Sequence, residues 1–300
     1  MSTTKAVVAR TMKRTHFAAW IVACFVVFVW GINFVLAKHA LDQFDVGPFN
    51  FVRFGGMFVV GWVVLWVTGG IQSIEARDRL RFLIVAVVGY CGYIFGFSVG
   101  VSLTSAFSAS LLLALVPMWI IIFNSMTRRR LPNALTLVAF AIASAGVVMF
   151  VSARTSVSLG WGDLVSLTVA GFYAGYLLLN RPLIDRYPPI TLITYTTTVA
   201  ALPIMALTAY AFMRQDWSEV SSSGWLAMAW AIVTPVFVAW SAWSWVQRYL
   251  DTNRIAPLLF LVPVISGYTA WLTLDESIQL GQIVGTAAVI GGLTLSYRTN

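Results

Sequence analysis

The side chains in this sequence that could do chemistry are aromatic or neutral and polar, and they stand inside long apolar runs. Trp30 and Asn33 are spaced i, i+3, while Tyr173, Tyr176 and Asn180 follow at i, i+3, i+7. Either set makes one stripe on a helix. Tyr90, Tyr93 and Phe97 make a third group, and Trp240, Ser241, Trp243 and Ser244 a fourth, with Trp119 apart from them. Aromatic walls accept flat or apolar groups, and their faces attract an ammonium. Asn and Ser add neutral hydrogen bonds to a carboxylate or an amide. Together these groups suit a zwitterionic amino acid or a small organic cation. They suit a phosphorylated solute poorly, because Arg53 is the one basic residue away from the ends of a run. Pairing with Asp42 or Asp45, or snorkelling to the interface, is the expected fate of Arg53.

Catalysis finds little support. The carboxylates lie at the ends of the apolar runs or between them, and His16 and His39 flank the first run. The stretch Gly96-Phe97-Ser98-Val99-Gly100 matches a nucleophile-elbow pattern, but that pattern needs a strand–turn–helix and a base at the same depth. Its glycines read better as Gly92-x-x-x-Gly96-x-x-x-Gly100, a ridge for close helix packing, and Gly281-x-x-x-Gly285 reads likewise. Cys24 and Cys91 lie in apolar runs and imply neither a disulfide framework nor a metal site. No catalytic residue, metal or cofactor is predicted. With no mid-run carboxylate, carboxylate-based proton coupling is not expected either.

The elements that position these groups follow from composition. Hydrophobic residues are 59% of the 300 and charged residues 10%, against about 25% charged in a soluble protein. Mean hydropathy is +0.84. A soluble globule, a disordered chain and a nucleic-acid-binding protein are excluded. Runs long enough for helices that cross a hydrocarbon core of about 30 Å number ten: 17–38, 47–69, 80–102, 105–125, 133–152, 160–181, 189–212, 225–247, 253–273 and 278–297. They do not alternate as barrel strands do. The first run is too long for a signal-peptide core and reads as a retained helix. Of the 19 Lys and Arg residues, fifteen fall on the side that holds both termini and three on the other. This asymmetry predicts cytoplasmic termini.

The chain also resembles itself. An offset of 146 carries Leu115-Val116-Pro117 onto Leu261-Val262-Pro263 and Ala145-Gly146 onto Gly291-Gly292. An offset of 143 carries Trp30 onto Tyr173 and Asn33 onto Tyr176. Five helices per half is an odd number, so the halves enter the membrane from opposite sides, as in secondary transporters. The fold expected is an all-α membrane protein of ten transmembrane helices in two inverted five-helix repeats. Residues 1–16 would be a cytoplasmic tail, 17–152 the first repeat, 153–159 a linker and 160–300 the second repeat. Pro117 and Pro263, at symmetric places, are candidate hinges.

Two motifs carry a family resemblance: Trp30-Gly31-x-Asn33-Phe34, and Thr104-Ser105-Ala106 running through Ser110-Leu111-Leu112-Leu113 to Pro117, with Ala256 to Pro263 as its counterpart. With ten helices in two halves, the chain resembles the drug/metabolite transporter superfamily. It is most similar there to EamA-type exporters, of the kind of the bacterial aromatic and neutral amino-acid exporters (YddG-like). Pro257 and Tyr173-Ala174 depart from the motifs. The resemblance implies alternating access through a central cavity lined by Trp30, Asn33, Tyr90, Tyr93, Phe97, Trp119, Tyr173, Tyr176, Trp240, Trp243 and Ser244. It implies export of aromatic and other neutral amino acids from a bacterial inner membrane. The partners implied are a small-molecule substrate and lipid, with no nucleic acid, and the chain is expected to be a monomer. Export of organic cations, drugs or other metabolites is the alternative within the fold; an intramembrane enzyme or a channel is the alternative outside it.

Overall fold

The structure, a computed structural model, describes residues 2–128, 133–153, 160–250, 255–275 and 277–298. Except for residue 153, the expected linker 153–159 lies outside the described residues, as do Arg129, Arg130, Arg154 and Arg254 of the charge count.

Among the described residues every regular element is helical. Seven helices are long and apolar enough to cross a bilayer: α1 (Thr15–Leu41), α2 (Val46–Thr68), α3 (Ala76–Leu103), α4 (Ala106–Thr127), α6 (Trp161–Ile184), α7 (Pro189–Arg214) and α8 (Ser222–Tyr249). Three shorter apolar helices, α5 (Ala134–Phe150), α9 (Leu258–Thr273) and α10 (Leu280–Leu295), fall where spans are expected at 133–152, 253–273 and 278–297. The helix of α1 continues back to Ser2.

Local chemistry sets the helix ends. The Ser105 and Ser221 side chains cap α4 and α8 by accepting from the backbone N–H groups of Ser108 and Gly224. Asp163 accepts from the Gly160 N–H at 3.1 Å and closes the first turn of α6. Gly69 ends α2 with φ at +64°, the left-handed conformation that glycine adopts without strain.

Small residues decide how the helices meet. α5 and α10 run antiparallel at backbone contact. A Cβ built on Gly285 would lie 2.6 Å from the Gly146 carbonyl oxygen, and one on Gly292 would lie 2.7 Å from that of Ala139. On α3, Gly92, Gly96 and Gly100 face Phe172, Val169 and Ser166 of α6, so the small-residue ridge does pack closely. The most extensive pairings are α2 with α7, α5 with α10, α1 with α8 and α9, and α6 with α3 and α4. Exchanging each helix of the first five for its counterpart in the second five maps this set onto itself.

Two helices are not plain α-helix. α3 holds a π-helical stretch at Ala86–Phe95 and α8 another at Thr234–Trp240. The cause in α8 is Pro235, which has no N–H to give to the Ala231 carbonyl four residues back. These stretches hold Tyr90, Tyr93 and Trp240, and π-helical turns recur at functional sites.

In the first turn of α3, where the connection from α2 enters it, Asp78 is buried, pairs with Arg186 at 2.7 Å and accepts from the Tyr187 hydroxyl at 2.9 Å. Desolvation pushes the Tyr187 hydroxyl above the ordinary tyrosine pKa, which keeps it a neutral donor. This cluster ties the α2–α3 connection to the α6–α7 connection.

Candidate functional site

A cavity of about 1190 Å³ runs into the middle of the helix bundle. Its lining reaches Asn124, Ser125, Asn133, Arg181, Asp185, Gln247 and Arg248 at one end of the molecule. No described residue from the opposite helix ends lines it, so it opens on one side only. The open side carries the basic loops.

Two aromatic pairs form the deep walls. Trp30 of α1 meets Trp243 of α8 with ring centroids 5.3 Å apart, and Tyr93 of α3 stacks on Tyr173 of α6 at 4.3 Å. Trp240 lies parallel to Tyr93 at 6.2 Å and stacks on Tyr176 at 5.0 Å. Phe34 and Phe97 meet edge to face at 5.1 Å at the blind end. The Trp30 indole donates to the Pro235 carbonyl at 3.3 Å, which ties the ring to α8. Asn33 is 6% exposed, and its Oδ1 has no hydrogen-bond partner. Hydrogen-bonded amides are the rule in such places, so a buried acceptor without a partner beside the cavity is unusual.

Trp30, Asn33, Tyr93, Phe97, Tyr173, Trp240, Trp243, Ser244 and Pro117 are all brought to the cavity wall. Three of the expected residues are not. Tyr90 is fully buried and donates to the Ile193 carbonyl at 3.4 Å. Tyr176 packs over Gly89, and its hydroxyl accepts from Asn180 at 3.0 Å. Trp119 packs against Gly171 and Phe123. These three support the wall from behind, because helical spacing gives a face and not a depth. Pro263 is buried in α9, next to the wall residue Val262. Both prolines follow irregular backbone: α4 is interrupted by a turn at Ala114–Leu115, and a 3-10 turn at Ala256–Phe260 overlaps the start of α9.

Arg53 overturns its sequence expectation. It neither pairs with Asp42 or Asp45 nor reaches the interface; it is 3% exposed and lies on the cavity wall. Its Nε donates to the Ala231 carbonyl at 3.3 Å, the acceptor that Pro235 leaves free. Its Nη1 donates to the Ser98 hydroxyl at 3.4 Å, and Ser98 donates to Asn50 at 3.1 Å. Ser98 is thus a helical hydrogen-bonding residue, with no strand–turn–helix around it. The i, i+3 spacing of Asn50 and Arg53 was the signal that could have found this group.

Beyond the blind end, hydrogen bonds tie the two halves together. Thr104 donates to Asp163 at 3.2 Å, and Gln43 accepts from Ser221 at 2.7 Å. The arrangement can receive a solute of amino-acid size from one side, hold it between aromatic faces and polar groups, and bar it from the other.

The chain is similar to several known proteins. Over 275 residues the chain is 22% identical to an uncharacterised transporter, YyaM, of Bacillus subtilis (strain 168), with 88% of each covered. It is 24% identical to a probable amino-acid metabolite efflux pump of Escherichia coli (strain K12), covering 92% of this chain and 93% of that protein. It is also 24% identical to a probable terminal-alkyne amino-acid exporter of Streptantibioticus cattleyicolor, covering 94% and 93%. One solved crystal structure superposes with a TM-score of 0.62 at 18% identity, over 93% of this chain and 95% of that one, which shows a shared fold. The EamA-like transporter family matches in two stretches, 18–152 and 160–298. With nearly its whole length matched and its apolar helices arranged as described, the chain is an integral membrane protein that belongs to the EamA-like transporter family.

Proposed function

We propose that this protein is a secondary carrier that exports aromatic and other neutral amino acids by alternating access. The observation that carries the reading is the one-sided cavity between the halves, walled by Trp30, Trp243, Tyr93, Tyr173 and Trp240. The proposed architecture is ten spans in two inverted five-helix repeats. The two-stretch family match, the exchange-symmetric helix pairings and the antiparallel α5–α10 crossing support it. The basic loops support cytoplasmic termini, and the family resemblance supports a bacterial inner membrane. On that orientation the cavity faces inward, the loading state of an exporter. Pro117 and Pro263, each beside irregular backbone, are the proposed hinges. The names of two relatives, an amino-acid metabolite efflux pump and a terminal-alkyne amino-acid exporter, favour amino acids over organic cations or drugs.

The test is uptake of labelled phenylalanine into proteoliposomes of purified protein, with and without unlabelled amino acids inside. Saturable uptake accelerated by internal amino acid is expected. Non-saturating flux would indicate a pore. No flux through folded, inserted protein would remove amino acids as the substrate.

The outer closure gives a second expected result. Thr104→Val removes one hydrogen bond to a carboxylate, worth about 1 kcal/mol, and shifts the inward/outward balance roughly fivefold. In a Cys24→Ser, Cys91→Ser background, a cysteine replacing Asn33 should then label faster with a membrane-impermeant maleimide added outside. An unchanged labelling rate would show that the Thr104–Asp163 contact takes no part in closure.

A further inference from the structure

Arg53 carries a charge that nothing described in the protein neutralises. The ion pairs among the described residues are Lys38–Asp42, Arg77–Glu75 and Arg186–Asp78, so no described carboxylate lies within 4.0 Å of Arg53. Its guanidinium sits 5.8 Å from the ring centres of both Phe49 and Phe97, an apolar sandwich. Two neutral oxygens, of Ala231 and Ser98, take two of its five N–H groups. A buried charge without a counter-ion is costly, and a charge kept within a membrane bundle marks a ligand or ion pathway. The site is also built to aim it: the proline in α8 frees the Ala231 carbonyl, and Asn50 orients Ser98. Asn33, one helical turn from Trp30, lines the same cavity, and its buried Oδ1 has no partner.

We propose that Arg53 is the residue that binds the substrate's carboxylate, with the Asn33 side chain and the Trp30 face receiving its ammonium. This rests on the carrier reading above and narrows it: the cavity selects solutes bearing a carboxylate, and amines without one are poor ligands. Arginine suits the task, because its fork can meet both carboxylate oxygens. A structural tie between α2, α3 and α8 would use the same two hydrogen bonds, but it would be indifferent to what the ligand carries.

The experiment is equilibrium binding to the purified full-length protein, read by tryptophan fluorescence, since Trp30, Trp240 and Trp243 line the cavity. The probes are L-phenylalanine, 3-phenylpropionate, L-phenylalaninamide and 2-phenylethylamine. The wild type should bind the two carboxylates at least about tenfold more tightly than the other two, because a site built for a polar group rejects analogues that lack it. Arg53→Gln should weaken both carboxylates about tenfold and leave 2-phenylethylamine nearly unchanged, while Arg53→Lys should retain part of the preference. Asn33→Leu should weaken phenylalanine and spare 3-phenylpropionate. Equal binding of the amide and the acid by the wild type would overturn the proposal. So would an equal loss of all four probes in Arg53→Gln, or binding of none of them to the wild type. Should Arg53→Gln fail to fold, the wild-type probe series and Arg53→Lys decide. The carrier reading is judged by counterflow; carboxylate preference is judged at equilibrium, so either can fail alone.

Discussion

Alanine in place of Trp243 or Tyr93 is expected to cut saturable exchange of labelled phenylalanine about tenfold or more. Each ring is half of a wall: Trp243 faces Trp30 at 5.3 Å, and Tyr93 stacks on Tyr173 at 4.3 Å. Removing one forfeits about 1–2 kcal/mol of aromatic and cation–π contact with a bound solute, and 1.4 kcal/mol is a factor of ten. Trp30→Ala and Tyr173→Ala should behave alike, as the other halves of the same pairs. Trp66→Ala is the control, because Trp66 is 76% exposed on the bundle's outer surface. The assay compares exchange per folded protein, with folding followed by size-exclusion profile. Unchanged exchange in all four cavity variants would end the aromatic-cavity account.

The second large effect is on stability and sits at adjacent glycines with opposite outcomes. Gly285→Leu drives a side chain into the backbone of α5, where even a Cβ would stand 2.6 Å from the Gly146 oxygen. Overpacking costs about 1–3 kcal/mol and more where backbone must move, and here it must. A fall in Tm of roughly 6–12 °C is expected. Gly292→Leu should do the same against the Ala139 oxygen at 2.7 Å. Gly291, next in the chain, has nothing within 4 Å of its Cβ direction, so Gly291→Ala should be neutral or gain up to about 1 kcal/mol of helix propensity. Thermal unfolding in detergent measures all three. Equal Tm values for Gly285→Leu and Gly291→Ala would show that α5 and α10 do not meet as described.

Much of this protein was legible in its residues because the bilayer is a demanding solvent. Without water to satisfy backbone groups, a long apolar run has one outcome, a helix. Runs and glycine ridges could therefore be read directly, and Gly92, Gly96 and Gly100 do pack on α6. The site was legible in part. Mid-run aromatics at helical spacing pointed to Trp30, Tyr93, Tyr173 and Trp243, all of which line the cavity. The same spacing could not separate them from Tyr90, Tyr176 and Trp119, whose faces look inward too but meet other helices first.

By itself, then, the amino-acid sequence determined the all-helical membrane class, the internal duplication and the aromatic, carboxylate-poor character of the interior. These follow from composition and period, which are local properties of the chain. Tertiary structure alone decided which aromatics reach the cavity, which end of it is open, and that Arg53 faces inward without a carboxylate. Each of those depends on what a neighbouring helix offers, and for Arg53 the deciding group was a carbonyl freed by a proline 182 residues further along the chain.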